Sequence, residues 1–168
     1  RFVTKDGKRG YQPVCRNRWS IECKAHKYKC EGCAHRDLVP LDDAVIRRHL
    51  HKGAKETDII GLFPIMEDNT CFFLCADFDD KNCQHGYKDD VLSYVGVCND
   101  WNIPVYIERS RSGNGAHLWI FFSEPVSAAL ARKLGFAILG SAMERNVQLD
   151  MKSYDRFFPN QDFVPNGG

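Results

Sequence analysis

From about residue 40 onward, apolar residues recur at spacings that predict strands and helices in turn. The apolar runs 59–66 and 71–76 flank a polar turn at 67–69, which predicts a β-hairpin whose second strand is central and buried on both faces. The other predicted elements are helices over 41–50, over 89–98 and for about four turns from residue 127, and strands over 105–108, 117–122 and 147–150. This order predicts an α+β fold, a sheet with flanking helices, for residues 41–168.

The helical spacing of apolar residues also predicts which side chains face the core. They are Val91, Leu92, Val95 and Cys98 in the helix over 89–98, and Leu130, Leu134, Ile138 and Leu139 in the last helix. No internal repeat interrupts the pattern, so residues 41–168 are expected to share one core.

Residues 1–40 lack such a pattern and could not build a core of their own. Among the first 36 residues, ten are Lys or Arg and three are Asp or Glu, although the whole chain has a formal net charge of only +1. A basic segment of this kind suits a polyanion such as a nucleic acid, and a solvated surface explains the charge equally well.

Half of the eight cysteines lie in this basic segment, at a spacing that suggests metal ligands. They are Cys15, Cys23, Cys30 and Cys33, with His26 and His35 as alternative ligands. In the absence of a secretion signal, metal binding explains them better than disulfides, and four thiolates complete a closed zinc site. Residues 1–40 are therefore predicted to be a small zinc-binding segment. Cys71 and Cys75 lie in an apolar run and are expected in the core.

Composition excludes several classes of protein. With 168 residues, 43% hydrophobic and 27% charged, the chain has globular values, which exclude a mainly disordered, collagenous or coiled-coil protein. No apolar run approaches the roughly 20 residues of a membrane helix. No secretory signal is visible, so we expect no membrane association and a cytoplasmic location. Because the first residue is Arg1, the chain is expected to be a piece of a longer protein.

The sequence Asp77-Phe78-Asp79 directly follows a strand-forming apolar run. Because residues two apart on a strand project from the same face, Asp77 and Asp79 are expected to point together. Two carboxylates this close repel unless a cation lies between them, and their oxygens suit Mg²⁺ or Mn²⁺ in phosphoryl or nucleotidyl transfer. The same acids could simply end a strand in a solvated turn, so both interpretations stay open on this motif alone.

A glycine-rich turn separates the strands predicted over 105–108 and 117–122. Glycines let backbone N–H groups approach phosphate oxygens closely, while hydroxyl, imidazole and guanidinium groups supply further donors and positive charge. The candidate nucleotide-binding residues are Arg109, Arg111, Ser112, Gly113, Gly115 and His117. A Gly-Asn-Gly turn also makes a good hairpin turn without any ligand.

Together these features resemble the archaeo-eukaryotic primase superfamily, in which an acidic pair after a strand precedes a strand with a Ser-Gly-Gly-His pattern. The closer resemblance is to the primase-polymerase domain of TOTE conflict systems and to related CRISPR-associated primase-polymerases. It rests on Tyr11-x-Pro-Val-Cys15-x-Asn17-x-Trp19, on Cys30-x-x-Cys33, on residues 113–122 and on the block 153–162. The resemblance covers nearly the whole chain.

This resemblance implies an RRM-like catalytic sheet and a template-dependent nucleotidyltransferase, a DNA primase-polymerase that makes primers and extends them from NTPs or dNTPs. It implies that Asp77 and Asp79 bind catalytic Mg²⁺ or Mn²⁺, and that Ser112 and His117 contact the triphosphate. The implied partners are a single-stranded DNA template and primer, with helicase or nuclease modules in the same polypeptide or system. A family strand that normally continues beyond a pair like Gly167-Gly168 is missing, so truncation at the C-terminus is expected.

A third acid is expected to complete the set of catalytic metal ligands. Asp150, Asp155 and Asp162 are the candidates. Asp155 is favoured because it lies inside the block 153–162 that carries the resemblance, and Asp162 is the second choice because it follows a turn signal.

Two functions from other classes are also compatible with these residues. A metal-dependent nuclease uses similar two-metal sites. A sheet carrying Trp119, Phe121 and Phe122 suits a non-catalytic, RRM-like nucleic-acid-binding module, although paired aspartates on its binding face would repel phosphate.

Overall fold

Two units make up the chain in the computed structural model, which describes residues 2–3, 6–7, 9–10, 14–27, 33–53, 55, 58–80, 86–145 and 151–164. The first unit contains Arg1–Leu62 with Asn166–Gly168, and the second contains Phe63–Pro165. The predicted domain boundary after residue 40 lies upstream of this division, so the helix predicted over 41–50 falls in the first unit.

Short elements form the first unit. Strands β1 (Phe2–Val3) and β2 (Arg9–Gly10) pair in antiparallel fashion. Helix α1 (Ile21–Ala25) is capped by the Ser20 hydroxyl, and helix α2 (Asp43–Leu50) is capped by the Asp42 carboxylate, which accepts a hydrogen bond from a backbone N–H of the first turn. The helix predicted over 41–50 is therefore confirmed, with its start two residues later.

Four antiparallel strands form the sheet of the second unit. They are β3 (Thr70–Asp79), β4 (Tyr106–Arg109), β5 (Gly115–Ser127) and β6 (Tyr154–Phe158), in the order β4-β5-β3-β6. Helix α3 (Tyr87–Asp100) follows β3, and helix α4 (Ala128–Arg145) follows β5. This is the β-α-β-β-α-β arrangement of RRM-like folds, so the predicted α+β class and RRM-like sheet are confirmed.

One face of this sheet forms the core together with α3 and α4. Because side chains alternate along a strand, Leu74, Ala76 and Phe78 of β3 are buried on that face, as are Leu118 and Ile120 of β5. The predicted central position of β3 is confirmed, since it pairs with β5 on one side and with β6 on the other. The predicted burial of both its faces is wrong, because Phe72 is 49% exposed and Asp77 and Asp79 are only partly buried. The candidate catalytic side chains lie on the opposite face.

Cys71 and Cys75 are both buried in β3, which confirms the prediction that they are core residues. Burial raises the pKa of the Cys75 thiol to about 12, with smaller contributions from the charges of Asp77 and Glu108. This thiol therefore stays protonated at neutral pH, which argues against a cysteine nucleophile here.

Both helices bury faces that differ in part from the predicted ones. Leu92 is 63% exposed and Leu130 is 58% exposed, so the prediction that they face the core is wrong. The buried residues are Asp90, Val91, Tyr94, Val97 and Cys98 in α3, and Ala128, Ala131, Gly135, Ile138 and Ala142 in α4. Helix α4 thus presents small residues to the sheet, which allows its backbone to approach closely.

The first strand of the predicted hairpin is absent, because residues 59–66 form no strand in the part of the chain that the structure describes. Pro64 lacks the N–H that a strand ladder requires, and β6 already pairs with residues 75–78 at the far end of β3, so a long hairpin partner has no place there. A turn remains before β3, in which the Met66 N–H donates to the Thr70 carbonyl at 2.8 Å.

The predicted features outside the described residues include the strand over 147–150, the candidate third acid Asp150 at its end, and the zinc ligand Cys30. No helix within the described ranges is long and apolar enough to cross a membrane.

Candidate active site

The antiparallel pairing of β3 with β5 places Asp77 directly opposite His117. Directly opposed residues project from the same face of a sheet, so the carboxylate and the imidazole meet there. The distance from His117 Nε2 to Asp77 Oδ1 is 3.6 Å. The acidic motif and the glycine-rich motif, which are 40 residues apart in the sequence, therefore form one site.

Gly115 allows the second carboxylate, Asp79, to lie close to strand β5. A Cβ atom on Gly115 would stand 2.4 Å from the Phe78 carbonyl oxygen and 3.0 Å from Asp79 Oδ1. No side chain fits at that distance from a backbone oxygen, so only glycine permits this approach. The close packing of β3 against β5 at this end of the site therefore accounts for a glycine at position 115.

Strand β6 contributes Asp155 to this face through an irregularity in its pairing. Asp77 pairs with Arg156, whereas the next residue, Phe78, pairs with Tyr154, so Asp155 is an extra residue in β6. A bulge of this kind re-aims side chains and is common beside active sites. Asp155 Oδ2 accepts a hydrogen bond from Arg156 Nε at 3.0 Å, and the charges of both residues act on Asp77.

The electrostatics of Asp77 reflect this crowding. Burial is the main reason that the pKa of its carboxyl lies above the ordinary value, and the charges of Asp79 and Asp155 raise the pKa further. His117 and Arg156 act in the opposite direction without reversing the shift. Ionised Asp77 is therefore incompletely compensated, and a bound cation would relieve this condition.

The predicted nucleotide-binding turn is held by hydrogen bonds within itself. The Arg109 guanidinium donates to the Gly113 carbonyl at 3.2 and 3.3 Å, and the Ser112 hydroxyl accepts from the Asn114 N–H at 3.2 Å. Gly113 has φ +81°, a conformation that favours glycine. Arg111 is exposed. The turn therefore lies beyond the Gly115 end of the site, and His117 is the member of the predicted set that reaches Asp77.

Asp162, the second choice for the third acid, pairs with a different element. Its Oδ1 accepts a hydrogen bond from Arg132 Nε at 2.7 Å, and Arg132 belongs to α4. The same guanidinium donates to the Pro159 carbonyl at 3.2 Å. The structure therefore brings Asp155, and not Asp162, into electrostatic contact with Asp77.

The sequence of the whole chain, residues 1–168, matches the family described as the TOTE conflict system, Archaeo-Eukaryotic Primase domain. The chain belongs to this family. The resemblance drawn from the motifs is thereby confirmed, and at the superfamily level it indicates a primase-like nucleotidyltransferase that binds nucleic acid and nucleoside triphosphates. The search of curated proteins found no match.

A buried carboxylate behind the sheet of this primase domain fixes the strand that carries Asp155. Asp90 of α3 accepts hydrogen bonds from the hydroxyl and the backbone N–H of Ser153, the latter at 3.2 Å. The Ser153 carbonyl in turn accepts from the Asp79 N–H at 2.6 Å. This chain of contacts links α3 to the start of β6 and to the end of β3.

The sequence did not predict three residues near the site. They are Glu108 and Arg156, which lie in it, and Asp90, which lies behind the sheet. A signal for Glu108 exists, because a hairpin centred between Ser112 and Gly113 places it opposite His117, as the structure confirms. Arg156 and Asp90 offer no comparable signal, since a bulge and a buried carboxylate leave no apolar periodicity.

The donor chemistry of the acidic cluster suits the catalytic metals that the family uses. Asp77, Asp79 and Asp155 offer carboxylate oxygens, the ligand type preferred by Mg²⁺ and Mn²⁺. Among the described residues, no three His, Cys, Asp or Glu side chains are arranged so that they could hold a metal ion. Binding of catalytic metal therefore stays a prediction, supported by donor type and by the charge at Asp77.

Three of the four predicted zinc ligands line one small pocket of the first unit. They are Cys15, Cys23 and Cys33, and His35 lines the same pocket. Their thiols are free and partly exposed. In the part of the chain that the structure describes, which omits Cys30, these groups do not form a metal-binding arrangement. The zinc-binding segment is thus unconfirmed.

Backbone and side-chain contacts hold the two walls of this cysteine pocket together. Cys15 forms an antiparallel bridge with Leu38, and the Asn17 amide donates to the His35 carbonyl at 2.8 Å. The Cys15 sulfur also accepts a hydrogen bond from the Asp37 N–H at 3.3 Å.

Proposed function

We propose that this domain is a template-dependent DNA primase-polymerase that makes primers and extends them from nucleoside triphosphates. The observation that carries the proposal is the arrangement of Asp77, Asp79, Asp155 and His117 on one face of an RRM-like sheet. Carboxylates that bind divalent metal serve nucleotidyl transfer, and an imidazole can donate a hydrogen bond to phosphate.

The three carboxylates are assigned to catalytic metal binding. Asp77 and Asp79 come from β3 and Asp155 from the bulge in β6, so they approach from two adjacent strands. Bound Mg²⁺ or Mn²⁺ would neutralise the triphosphate and lower the pKa of the attacking hydroxyl. The contribution of the chain is to hold Asp77 at a partly buried position, where the charge of its carboxylate is poorly compensated.

His117 and the neighbouring cations are assigned to the triphosphate. The imidazole lies beside Asp77, with Nε2 3.6 Å from Asp77 Oδ1, so His117 would contact a triphosphate bound next to this carboxylate. Arg156 lies within electrostatic range of Asp77 and Asp79. Arg109 and Arg111 would add positive charge from the glycine-rich turn, where Ser112 offers a hydroxyl.

Aromatic side chains beside the carboxylates are assigned to the bases of template and primer. Phe73, Tyr106, Trp119 and Phe121 cluster with ring centroids 5.3 to 6.4 Å apart. Tyr106 is 60% exposed and Phe121 is 59% exposed. Exposed rings on an RRM-like sheet are suited to stacking single-stranded bases. The Asp77–His117 pair is followed along β3 and β5 by the Cys75–Trp119 pair, so bases stacked here would lie next to the proposed reaction centre.

Further elements of the proposal concern the rest of the protein. Cys15, Cys23, Cys30 and Cys33 would bind one structural Zn²⁺, and the basic side chains among them would contact template or primer phosphates. Helicase or nuclease modules would act with the domain in the same polypeptide or system, at a cytoplasmic location.

One assay distinguishes the proposal from its alternatives. Purified protein is incubated with Mn²⁺, nucleotides and an end-labelled primer on a single-stranded template, and in parallel with unprimed template. We expect extension of the primer and new strands on the unprimed template. Shortening of the labelled strand would instead identify a nuclease, and binding without either reaction would identify a binding module.

A variant tests the role of His117 in the same assay. His117→Ala is expected to weaken nucleotide incorporation much more than template binding, because the imidazole is assigned to the triphosphate. Equal losses of incorporation and template binding would show that the residue is structural.

A further inference from the structure

A hydrogen-bonded connection runs from helix α3 to the segment that leads into Asp155. One oxygen of Asp90, Oδ2, accepts from both the hydroxyl and the backbone N–H of Ser153. The Ser153 carbonyl accepts from the Asp79 N–H at 2.6 Å. Ser153 is therefore held on one side by a helix and on the other by the strand of the acidic pair, and Asp155 follows two residues later.

Strand pairing alone holds the bulge in β6 weakly. The strand begins at Tyr154, so a single residue of β6 precedes Asp155. A bulge leaves its extra residue unpaired and interrupts the ladder of hydrogen bonds. The position of Asp155 therefore depends on what holds the segment before it. Ser153, with its bonds to Asp90, supplies that hold.

A side chain with an oxygen acceptor is needed at position 90 because the donors that it meets are buried. Asp90 is 2% exposed and Ser153 is 1% exposed, so water has little access to replace the acceptor. Both donors meet the same oxygen, which the amide of an asparagine would also provide. An apolar side chain of the same size would leave these two donors without that acceptor, and this loss favours a shift of the segment.

We propose that Asp90 is a positioning residue, which acts through Ser153 to set the position of Asp155 relative to Asp79. These two acids lie on different strands, so neither strand alone fixes their separation. The consequence for metal binding rests on the proposed function, in which both acids bind Mg²⁺ or Mn²⁺, whereas the link between the strands does not. Loss of a group that orients metal ligands commonly costs about 10- to 100-fold in metal affinity.

Two variants of similar size separate the acceptor from the volume at position 90. Asp90→Asn keeps an oxygen for both donors, and Asp90→Leu keeps the volume without an acceptor. Val97→Ala is the matched control for a loss of global stability, because Val97 is fully buried in the same helix.

Amide hydrogen exchange tests the link between the strands without metal or substrate. The exchange rates of the Ser153 and Asp79 amides are divided by the mean rate of the other β3 amides, which removes changes in global stability. We expect Asp90→Leu to raise both ratios at least about tenfold over wild type, and Asp90→Asn to stay within about threefold. Val97→Ala should leave the ratios unchanged. The proposal is overturned if Asp90→Leu matches wild type, or if Asp90→Asn or Val97→Ala shows the same increase as Asp90→Leu.

Mn²⁺ affinity is the second readout, measured in the absence of nucleotide from the electron paramagnetic resonance signal of free Mn²⁺. We expect Asp90→Leu to bind Mn²⁺ at least about tenfold more weakly than wild type, and Asp90→Asn and Val97→Ala to bind it like wild type. In primer extension, Asp90→Leu should need correspondingly more Mn²⁺ and recover its rate at saturating Mn²⁺, with template affinity unchanged. A loss of rate that excess Mn²⁺ does not recover would overturn the positioning role.

The exchange and metal readouts distinguish this proposal from the proposed function. If wild type binds no Mn²⁺ and incorporates no nucleotide, the proposed function fails, and the exchange ratios still decide whether Asp90 fixes the two strands. If wild type is active and Asp90→Leu matches its Mn²⁺ affinity, the positioning role is wrong. If Asp90→Leu does not fold, Ser153→Ala removes one of the two donors instead and should raise the Asp79 ratio about threefold. An unchanged ratio in that variant would overturn the proposal.

Discussion

A methyl group added at Gly135 tests how closely helix α4 packs against the sheet. A Cβ atom there would lie 2.8 Å from Cζ of Phe157 and 3.0 Å from Cδ2 of Leu74. Both neighbours are buried, and the Phe157 ring is wedged between the rings of Phe136 and Tyr154, with centroids 5.0 and 4.8 Å away. The ring therefore has little room to move aside.

Gly140 of the same helix provides the matched control, because a Cβ atom there would meet nothing within 4 Å. Replacing a helical glycine with alanine stabilises a protein by about 1 kcal/mol when there is space. Overpacking a filled core costs about 1–3 kcal/mol. The helix-propensity gain is common to both variants, so the difference between Gly140→Ala and Gly135→Ala isolates the overpacking cost, about 1–3 kcal/mol in favour of Gly140→Ala.

Urea unfolding of the two variants and the wild type measures this difference directly. We expect Gly140→Ala to be more stable than wild type, and Gly135→Ala to be less stable than Gly140→Ala by at least about 1 kcal/mol. Equal stability of the two variants would refute the close approach of α4 to β6. Since Phe157 follows Asp155 and Arg156 on β6, we also expect Gly135→Ala to slow primer extension.

Three further predictions concern the acids and the cysteines. Because burial raises the pKa of Asp77, the protonated carboxyl stabilises the metal-free fold at low pH, and this stabilisation is lost as pH rises through the raised pKa. In the presence of a chelator, Asp77→Asn should therefore be more stable than wild type at pH 7 and similar to it at pH 3; a less stable variant at pH 7 would contradict the electrostatic account. Asp155→Asn should lose extension in Mg²⁺ and in Mn²⁺ while keeping template binding, and Asp162→Asn should remain active; the opposite pattern would identify Asp162 as the third acid. Metal analysis should find about one zinc per chain, and Cys33→Ser should lower both zinc content and stability; a zinc-free wild-type protein of full stability would exclude the zinc site.

The sheet was predictable because its strands carry strong patterns. β3 and β5 contain long apolar or alternating runs, and the glycine turn before β5 marks a hairpin, so these strands follow from the pattern alone. The RRM-like sheet was implied by the resemblance, and strand β6 (Tyr154–Phe158) was not predicted. Register within that hairpin also places Glu108 opposite His117. By contrast, the apolar run 59–66 predicts a strand that does not form, because Pro64 interrupts it and β6 pairs with residues 75–78 of β3.

The buried faces of the helices were harder to predict, because they depend on side-chain size and on hydrogen-bond partners more than on hydrophobicity. Gly135 faces the sheet because the close approach of α4 leaves no space for a larger side chain, while Leu130 stays exposed. Asp90 is buried because Ser153 supplies two donors to its carboxylate, which a hydropathy pattern cannot reveal.

In the candidate site, too, some residues were predictable from the sequence and some contacts were not. Asp77 and His117 were each identified by a local motif, and their common role was implied by the resemblance, whereas their contact depends on the pairing of β3 with β5. Asp155 was favoured through the resemblance alone, since the bulge that brings it to the face of Asp77 arises from the pairing of β6 with β3. The ion pair between Asp162 and Arg132 joins residues that are distant in the sequence, so no local sequence pattern predicts it.

The most direct test of the central claim is incorporation of one labelled nucleotide on a primed template by wild type, Asp77→Asn and Asp79→Asn. Asp89→Asn, which changes an exposed carboxylate in the first turn of α3, is the control. We expect incorporation by wild type and by Asp89→Asn, and loss of at least about a hundredfold in both site variants, which should remain folded. Incorporation at the wild-type rate by either Asp77→Asn or Asp79→Asn would contradict the assignment of this sheet face as the site of nucleotidyl transfer.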